Sequence, residues 1–512
     1  MIKILYLLGL TNLSKDQVNA FYFLSNNELS APLDSTFNKI IWLHYFRIIY
    51  LVMIVMLSLT VGVLGIDRLI AQIPYNAISS VVIPVFLGFL AITLSQVLLR
   101  INIESIYTNR TIKNKNDIDM NELLDRDTHI ARGDFVAQLE FIKGKVIMIT
   151  GAGGNVGSAL VKHLVKLEPE QIILFDNNEF LLYSINNSCE RTVPKNIKLT
   201  PVLGDINDKD LLEDVMGLMT PDVIFHCAAY KHVPLAESNC FSVVRNNVFG
   251  TYNLVECTRK YGIKNVVLVS TDKSVRPTSI VGGTKRMSEI IFQLAADKEV
   301  TKGCNYTVAR FGNIISQNGT IFSIIDEQIR NGRDVTLTHP DVVRYFLTEQ
   351  EAVNLLVLSP LFNVNGKVVI FDMGLPIKVL DVAKKIAQLY GLELSSDNKS
   401  NEGDINVHFT GLRPGEKLYE ELLIGDSILP TGHPKLLVGD DSDISYEKLE
   451  EVLNDIDEAC YHKDELKLKK LLGVCIPLFT PPDGTNDHFS NAKKRLMTER
   501  HNVRDMIYRK KA

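Results

Sequence analysis

At 512 residues, 46% hydrophobic and 22% charged, the chain exceeds one typical core and has an ordinary globular composition, so two or three units are expected. A formal net charge of −5 argues against a protein that wraps nucleic acid, and no nucleic-acid partner is expected. Seven cysteines, odd in number and without CxxC spacing, read as reduced thiols in a cytosolic compartment, with no readable disulfide framework or zinc site.

Residues 1–40 form an N-terminal segment ahead of two uncharged apolar runs within 41–100. Ile48 to Ile66 spans about 28 Å as a helix, and Asn76 to Leu99 is longer, with Pro84 as a kink. A buried core helix is the alternative for each, but length and lack of charge favour a transmembrane hairpin in a lipid bilayer. A cleaved signal peptide fits poorly, because the first run begins after residue 40 and a second follows. Lys39 and Arg47 precede the pair, and Arg100, Arg110, Lys113 and Lys115 follow it, whereas the connection holds only Asp67 and Arg68. The positive-inside rule then places everything after residue 100 on the cytoplasmic face of the inner membrane.

A polar juncture at 101–143 leads into alternating short β-branched runs and helix-length stretches. VIMIT, IILFD, VIFHCAA, NVVLVST and YTVARFGN read as buried strands of parallel βαβ units. The expected fold class is therefore α/β, a doubly wound parallel sheet at 144–311. A smaller mixed region at 312–440 interleaves with it, and a helical, charged extension runs from 441 to 512. The tail from Lys493 to Lys511 is locally basic, a solvated end by preference or a touch on anionic lipid.

The run VIMIT passes into Gly151-Ala-Gly-Gly154-Asn155-Val156-Gly157 and then a helix. Glycines there permit a tight turn, close backbone approach to a pyrophosphate and close helix–strand packing, with the phosphates at the helix N-terminus. Asp176 ends the next strand 25 residues after Gly151, where an acid bonds a ribose 2′-hydroxyl and repels a 2′-phosphate. The pattern therefore reads as a site for NAD rather than NADP. Asp205 and Ile206 border the adenine in this reading, and Ala228, Ala229 and Ser270 lie at later strand ends. Small residues at such positions also serve packing.

Asp272 and Lys273 follow the fifth strand, and Lys285 comes twelve residues after Lys273. An acid and an amine side by side suit proton removal coupled to departure of a leaving group, with a surface ion pair as the alternative. An amine acts as a base only when partly neutral, which burial or nearby positive charge promotes. Thr271 is the adjacent hydroxyl, a proton relay or a structural hydrogen-bonder. Lys231 and His232 lie just past a strand end, where open α/β sheets place ligands, and no catalytic role falls to His232.

In order along the chain, TGAGGNVGS, FHCAAYKHVPLAE, NNVFGTYNL, STDKSVRPTSIVGGTKR, RFGNIISQNG, THPDVVRYFLT and TGLRPGEKLYEEL resemble the membrane-anchored nucleotide-sugar 4,6-dehydratases. These are extended short-chain dehydrogenase/reductase proteins of bacterial polysaccharide synthesis, and the resemblance covers roughly 120–440. It implies catalytic NAD, UDP-N-acetylglucosamine as substrate and a 4-keto-6-deoxy product. It also implies Lys273 as the C5 base, Asp272 as the acid for the C6 hydroxyl and Lys285 on the nicotinamide ribose. Asn313, Arg344 and Arg413 become diphosphate or uridine contacts, and Glu416 holds a ribose hydroxyl or pairs with Arg413. His339 shapes a turn. Related folds often pair as homo-oligomers through helices beside the catalytic one. Four residues before Lys285, inverting relatives carry tyrosine and retaining ones usually methionine; Val281 departs from both but, like methionine, moves no proton. The family often has four membrane helices and an additional N-terminal domain, so two runs suggest a shortened member. A C4 epimerase and a catalytically silent nucleotide-sugar-binding scaffold are the competing readings.

Overall fold

The computed structural model describes residues 123–128, 131–296, 303–315, 320–362, 364–395, 405–423, 428–439 and 446–496. The two apolar runs at 48–66 and 76–99, and the basic tail beyond 496, lie outside the described residues. Among the described residues no helix is long and apolar enough to cross a membrane.

The five expected strands form, together with a less apolar one between the second and third. They are β1 (Val146–Thr150), β2 (Gln171–Asp176), β3 (Lys198–Leu203), β4 (Val223–His226), β5 (Asn265–Thr271) and β6 (Asn305–Phe311). Short strands follow: β7 (Asn313–Ile315), β8 (Val335–Leu337), β9 (Val343–Arg344) and β10 (Phe346–Thr348). After them come β11 (Val368–Phe371), β12 (Ile377–Lys378), β13 (Leu394–Ser395), β14 (Ile405–Phe409), β15 (Ile428–Pro430) and β16 (Leu436–Gly439). Nine of these make one sheet, in the order β15-β16-β11-β6-β5-β4-β1-β2-β3. From β3 to β11 every pairing is parallel, and β16 and β15 close the edge antiparallel. The chain reverses direction across the sheet on either side of β1, which opens a crevice at the carboxyl ends of β1 and β4.

Alternate residues feed opposite faces of the sheet. Met148, Ile224 and Leu268 enter one apolar layer, while Ile147, Ile149, Phe225 and Val267 enter the other. That two-sided burial is why these strands read as continuous apolar runs rather than alternating ones. A third core, with Phe322, Ile325, Val335, Phe346, Val382 and Val407, holds the smaller unit around β8, β13 and β14.

The helices flanking the crevice start at polar caps. Asn178 accepts from Leu181 N–H before α2 (Glu179–Glu190), which follows α1 (Asn155–Leu164). Ser279 accepts from Gly282 N–H before α3 (Ile280–Ala295), and a reciprocal Thr348–Glu351 box opens α4 (Glu349–Leu358). All of α3 except Leu294 is buried. Part of its cover is the C-terminal pair α5 (Tyr446–His462) and α6 (Glu465–Cys475), whose Leu449, Val452, Ile456, Leu468 and Leu472 enter the same apolar layer.

Candidate active site

Two adjoining cavities line the crevice. The first, about 220 Å³, is walled by Gly151, Gly154, Asp176, Ile206, Ala228 and Ala229, with Asn177 and Asn246 beside them. The second, about 290 Å³, is walled by Asn155, Val156, Ala229, Ser270, Thr271, Lys273, Val281, Lys285 and Asn313, and by Lys231 and His232. Cys227 and Ala229 border both. Residues expected to contact cofactor thus run the length of the crevice, with the acid–amine pair at the far end.

The first cavity fits a dinucleotide by its own geometry. Gly151 has φ +67°, and a Cβ there would stand 2.7 Å from Ala228 N; at Gly157 it would stand 2.1 Å from the Gly151 carbonyl oxygen. Side chains at either position would fill the turn that brings backbone to a pyrophosphate. No side chain caps α1, whose N-cap is Gly154, so its positive end faces the crevice. The Asp176 carboxylate is fixed from below, Oδ2 accepting from Gly153 N–H at 2.8 Å and Oδ1 from Asn178 N–H at 2.9 Å. Each oxygen keeps a lone pair for a ribose hydroxyl. Asp205 lies off the wall: its Oδ1 takes Asn207 N–H and its Oδ2 the Asn177 amide. Burial would raise that carboxyl, but the hydrogen bonds from Asn207 and Asn177 outweigh it and hold the pKa down. Asp205 thus braces the loop that carries Asn177 into the wall.

At the other end, Thr271 Oγ1 donates to Asp272 Oδ1 at 2.9 Å, and Lys273 Nζ reaches the same oxygen at 2.9 Å. Lys273 also lies 3.4 Å from Asn313 Oδ1. Asp272 is 0% exposed and is not a wall residue, so its carboxylate meets the cavity through Thr271 and Lys273. Its Oδ2 is buried without a hydrogen-bond partner among the described residues.

The electrostatics of Lys273 run opposite to a resting neutral base. Burial would lower its pKa, but Asp272 and then Glu420 outweigh burial and raise it above the ordinary lysine value. Lys285 behaves in the reverse way: burial, only partly offset by Glu289 and Cys227, brings it down to about 8. Lys231 is also lowered by burial. The amine nearest neutrality on this wall is therefore Lys285, and Lys273 rests as an ammonium.

Three residues assigned to substrate by resemblance lie elsewhere. Arg344 is buried and engaged by the protein: it donates to the Val343, Leu418 and Lys417 carbonyls and to Glu416 Oε1 at 3.3 Å. It braces the 413–420 loop rather than presenting a guanidinium to the cavity. Glu416 Oε1 also accepts from Thr338, and its Oε2 takes Arg413 N–H, so Glu416 pairs with the Arg413 backbone. Arg413 itself is exposed and lines neither cavity. His339 accepts from Asp341 N–H at 3.1 Å, a turn-shaping bond.

Sequence reading missed two features. Glu289 and Arg310 are both 0% exposed, with Arg310 Nη2 donating to Oε2 at 2.7 Å. Ser270 and Ser274 donate to the same carboxylate, which ties β5 and the turn after it to α3. Burial would raise Glu289, but Arg310 and Arg286 outweigh it and hold it down to about 2. A lone arginine inside YTVARF signals such a partner, because a buried charge needs one. Glu420 beside Lys273 had no local signal.

Residues 147–440 match the model of a family described as "Polysaccharide biosynthesis protein". The chain belongs to that family. It is 36% identical over 331 residues to a capsular polysaccharide biosynthesis protein, CapD, of Staphylococcus aureus, across 64% of this chain and 53% of that one. It thus spans about half the length of that relative. It is 27% identical over 289 residues to a UDP-N-acetylglucosamine 4,6-dehydratase (inverting) of Campylobacter jejuni, covering 55% of this chain and 78% of that one. Among solved structures, Pen from Bacillus thuringiensis superposes with a TM-score of 0.52 at 26% identity, over 61% of this chain and 99% of that chain.

Proposed function

We propose that this chain uses NAD to carry out 4,6-dehydration of UDP-N-acetylglucosamine, giving a UDP-4-keto-6-deoxy sugar with C5 configuration retained, for surface polysaccharide synthesis. The observation that carries the reading is the joining of Thr271 and Lys273, both on the cavity wall, to one buried Asp272 carboxylate. Kinship with polysaccharide biosynthesis proteins and likeness to a named 4,6-dehydratase support it. A C4 epimerase moves hydride and the hydroxyl proton at one carbon and needs no further base at C5 or acid at C6.

When bound, NAD would supply hydride acceptance at sugar C4 and hydride return at C6. Gly151, Gly154 and the N-terminus of α1 hold its pyrophosphate, Asp176 its adenosine ribose, and Lys285 its nicotinamide ribose. Val281 has no proton to exchange, so the C4 hydroxyl proton leaves through Thr271 Oγ1 toward Asp272 Oδ1. Lys273 removes the C5 proton once its ammonium has passed a proton to a neighbouring carboxylate. The same cluster returns a proton to the departing C6 hydroxyl. Groups of this kind each contribute about 10²–10⁴-fold to a rate. In the same reading the apolar runs at 48–66 and 76–99 anchor the enzyme in the inner membrane with its crevice on the cytoplasmic side.

The full chain with NAD and UDP-N-acetylglucosamine in heavy water tests this by proton NMR. A new C6 methyl signal with deuterium at C5 is expected, its ring couplings reporting retention. A C4 epimer without a methyl signal, or an untouched sugar, overturns it.

A further inference from the structure

A carboxylate outside the catalytic strand stands beside Lys273. Glu420, 147 positions later, has a side chain only 3% exposed and brings Oε1 to 3.5 Å from Lys273 Nζ. Its Oε2 lies 4.0 Å from Lys417 Nζ and is buried without a hydrogen-bond partner among the described residues, as is Asp272 Oδ2. Lys417 Nζ donates a hydrogen bond to the Val275 carbonyl at 2.6 Å. Arg344 and Tyr345 also face the cluster, but the Arg344 guanidinium is engaged by carbonyls and Glu416. Two buried carboxylates therefore share one close ammonium, an arrangement that favours holding a proton on one of them.

The two acids are not equivalent. Asp272 Oδ1 accepts direct hydrogen bonds from Thr271 and Lys273 at 2.9 Å each. Glu420 has only the longer ion pairs. Burial, helped by Asp272, pushes the Glu420 carboxyl up despite Lys273, Arg344 and Lys417.

We propose that Glu420 is a positioning residue that sets the protonation state of Lys273, accepting the proton whose departure frees the amine to act on substrate. The proposal rests on the reading of Lys273 as the proton-transfer group. In the step, an N–H bond of the ammonium breaks and an O–H bond forms on Glu420. The amine then forms a new N–H bond with the C5 proton, and the C–H electron pair stays on the sugar as the enolate. The Glu420 proton is returned when the cycle closes, so no outside reductant or oxidant enters.

Competitive acylation of Lys273 in the full chain, followed by mass spectrometry across pH, tests the electrostatic half without turnover. Glu420→Gln removes one negative neighbour while keeping shape, so the labelling midpoint falls by about one pH unit, a tenfold faster reaction at a fixed lower pH. Glu420→Asp keeps the charge but draws it back, giving an intermediate midpoint, and carries the test if the Gln variant does not accumulate. With substrate, the kcat of Glu420→Gln rises with pH through the neutral range where the wild type is level, while KM and NAD affinity stay within twofold. An unchanged labelling midpoint overturns the proposal. A shifted midpoint in a chain that never forms a methyl signal leaves the cluster standing and removes the dehydratase reading instead.

Discussion

The two ends of the crevice are built on different principles. The dinucleotide end is mostly backbone: Gly151, Gly154 and Gly157 act through turn geometry and absent side chains, and Asp176, within the same 26 residues, adds one carboxylate fixed by backbone N–H groups. The acid–amine end is made of side-chain charge, with Thr271, Asp272 and Lys273 on one strand end, Asn313 after β6, and Glu420 and Lys417 on a distant loop held by Arg344. The first should break by steric insertion and tolerate pH. The second should break by isosteric neutralisation and respond to pH.

The largest separation comes from Lys273→Met. Turnover should fall about 10²–10⁴-fold while the NAD dissociation constant changes less than twofold, as measured by steady-state kinetics and fluorescence titration. Loss of NAD binding in that variant would break the comparison. Arg310→Met takes two hydrogen bonds from the buried Glu289 carboxylate while Arg286, Ser270 and Ser274 stay on it, and should cost about 3 kcal/mol of stability, seen as a lower melting transition in circular dichroism. Gly157→Val should weaken NAD about a hundredfold, because its side chain meets the Gly151 carbonyl, while the Lys273 labelling midpoint stays put.

Smaller effects follow from titration. Lys285 is near 8 in the folded chain and near the ordinary lysine value when unfolded, so the unfolded state binds more protons between about pH 8 and 10.5. Stability without NAD should therefore rise with pH across that window, by on the order of 2 kcal/mol relative to Lys285→Met in denaturant titrations. Glu289 has the opposite window: held down to about 2, it contributes stability above about pH 4.5 that is lost as pH falls toward 2. Least of all, Val281→Met should change kcat by less than about tenfold, since neither side chain carries a proton.

This division also governs what could be read in the sequence. The strand–glycine loop–helix–acid series is local, so Gly151 through Asp176 already prescribes the turn, and the apolar runs of β1, β2, β4, β5 and β6 prescribe the buried sheet. β3 is harder, because no residue of Lys198–Leu203 is fully buried and the strand includes Pro201. β11, β15 and β16 join the sheet from beyond residue 367, and nothing local announces that pairing. The Asp272–Lys273 pair was legible as chemistry, but the charge state of Lys273 was not. That state depends on Glu420, whose approach is set by Arg344 gripping the Lys417 and Leu418 carbonyls. For the same reason an arginine that suits phosphate in sequence serves as a brace in the fold.

The most direct test of the central claim follows one atom. UDP-N-acetylglucosamine deuterated at C4 is incubated with the full chain and NAD in ordinary water, and the product is examined by NMR. The account predicts that the deuterium appears in the C6 methyl group, carried from C4 by the cofactor. Deuterium retained at C4, with or without inversion there, would contradict it.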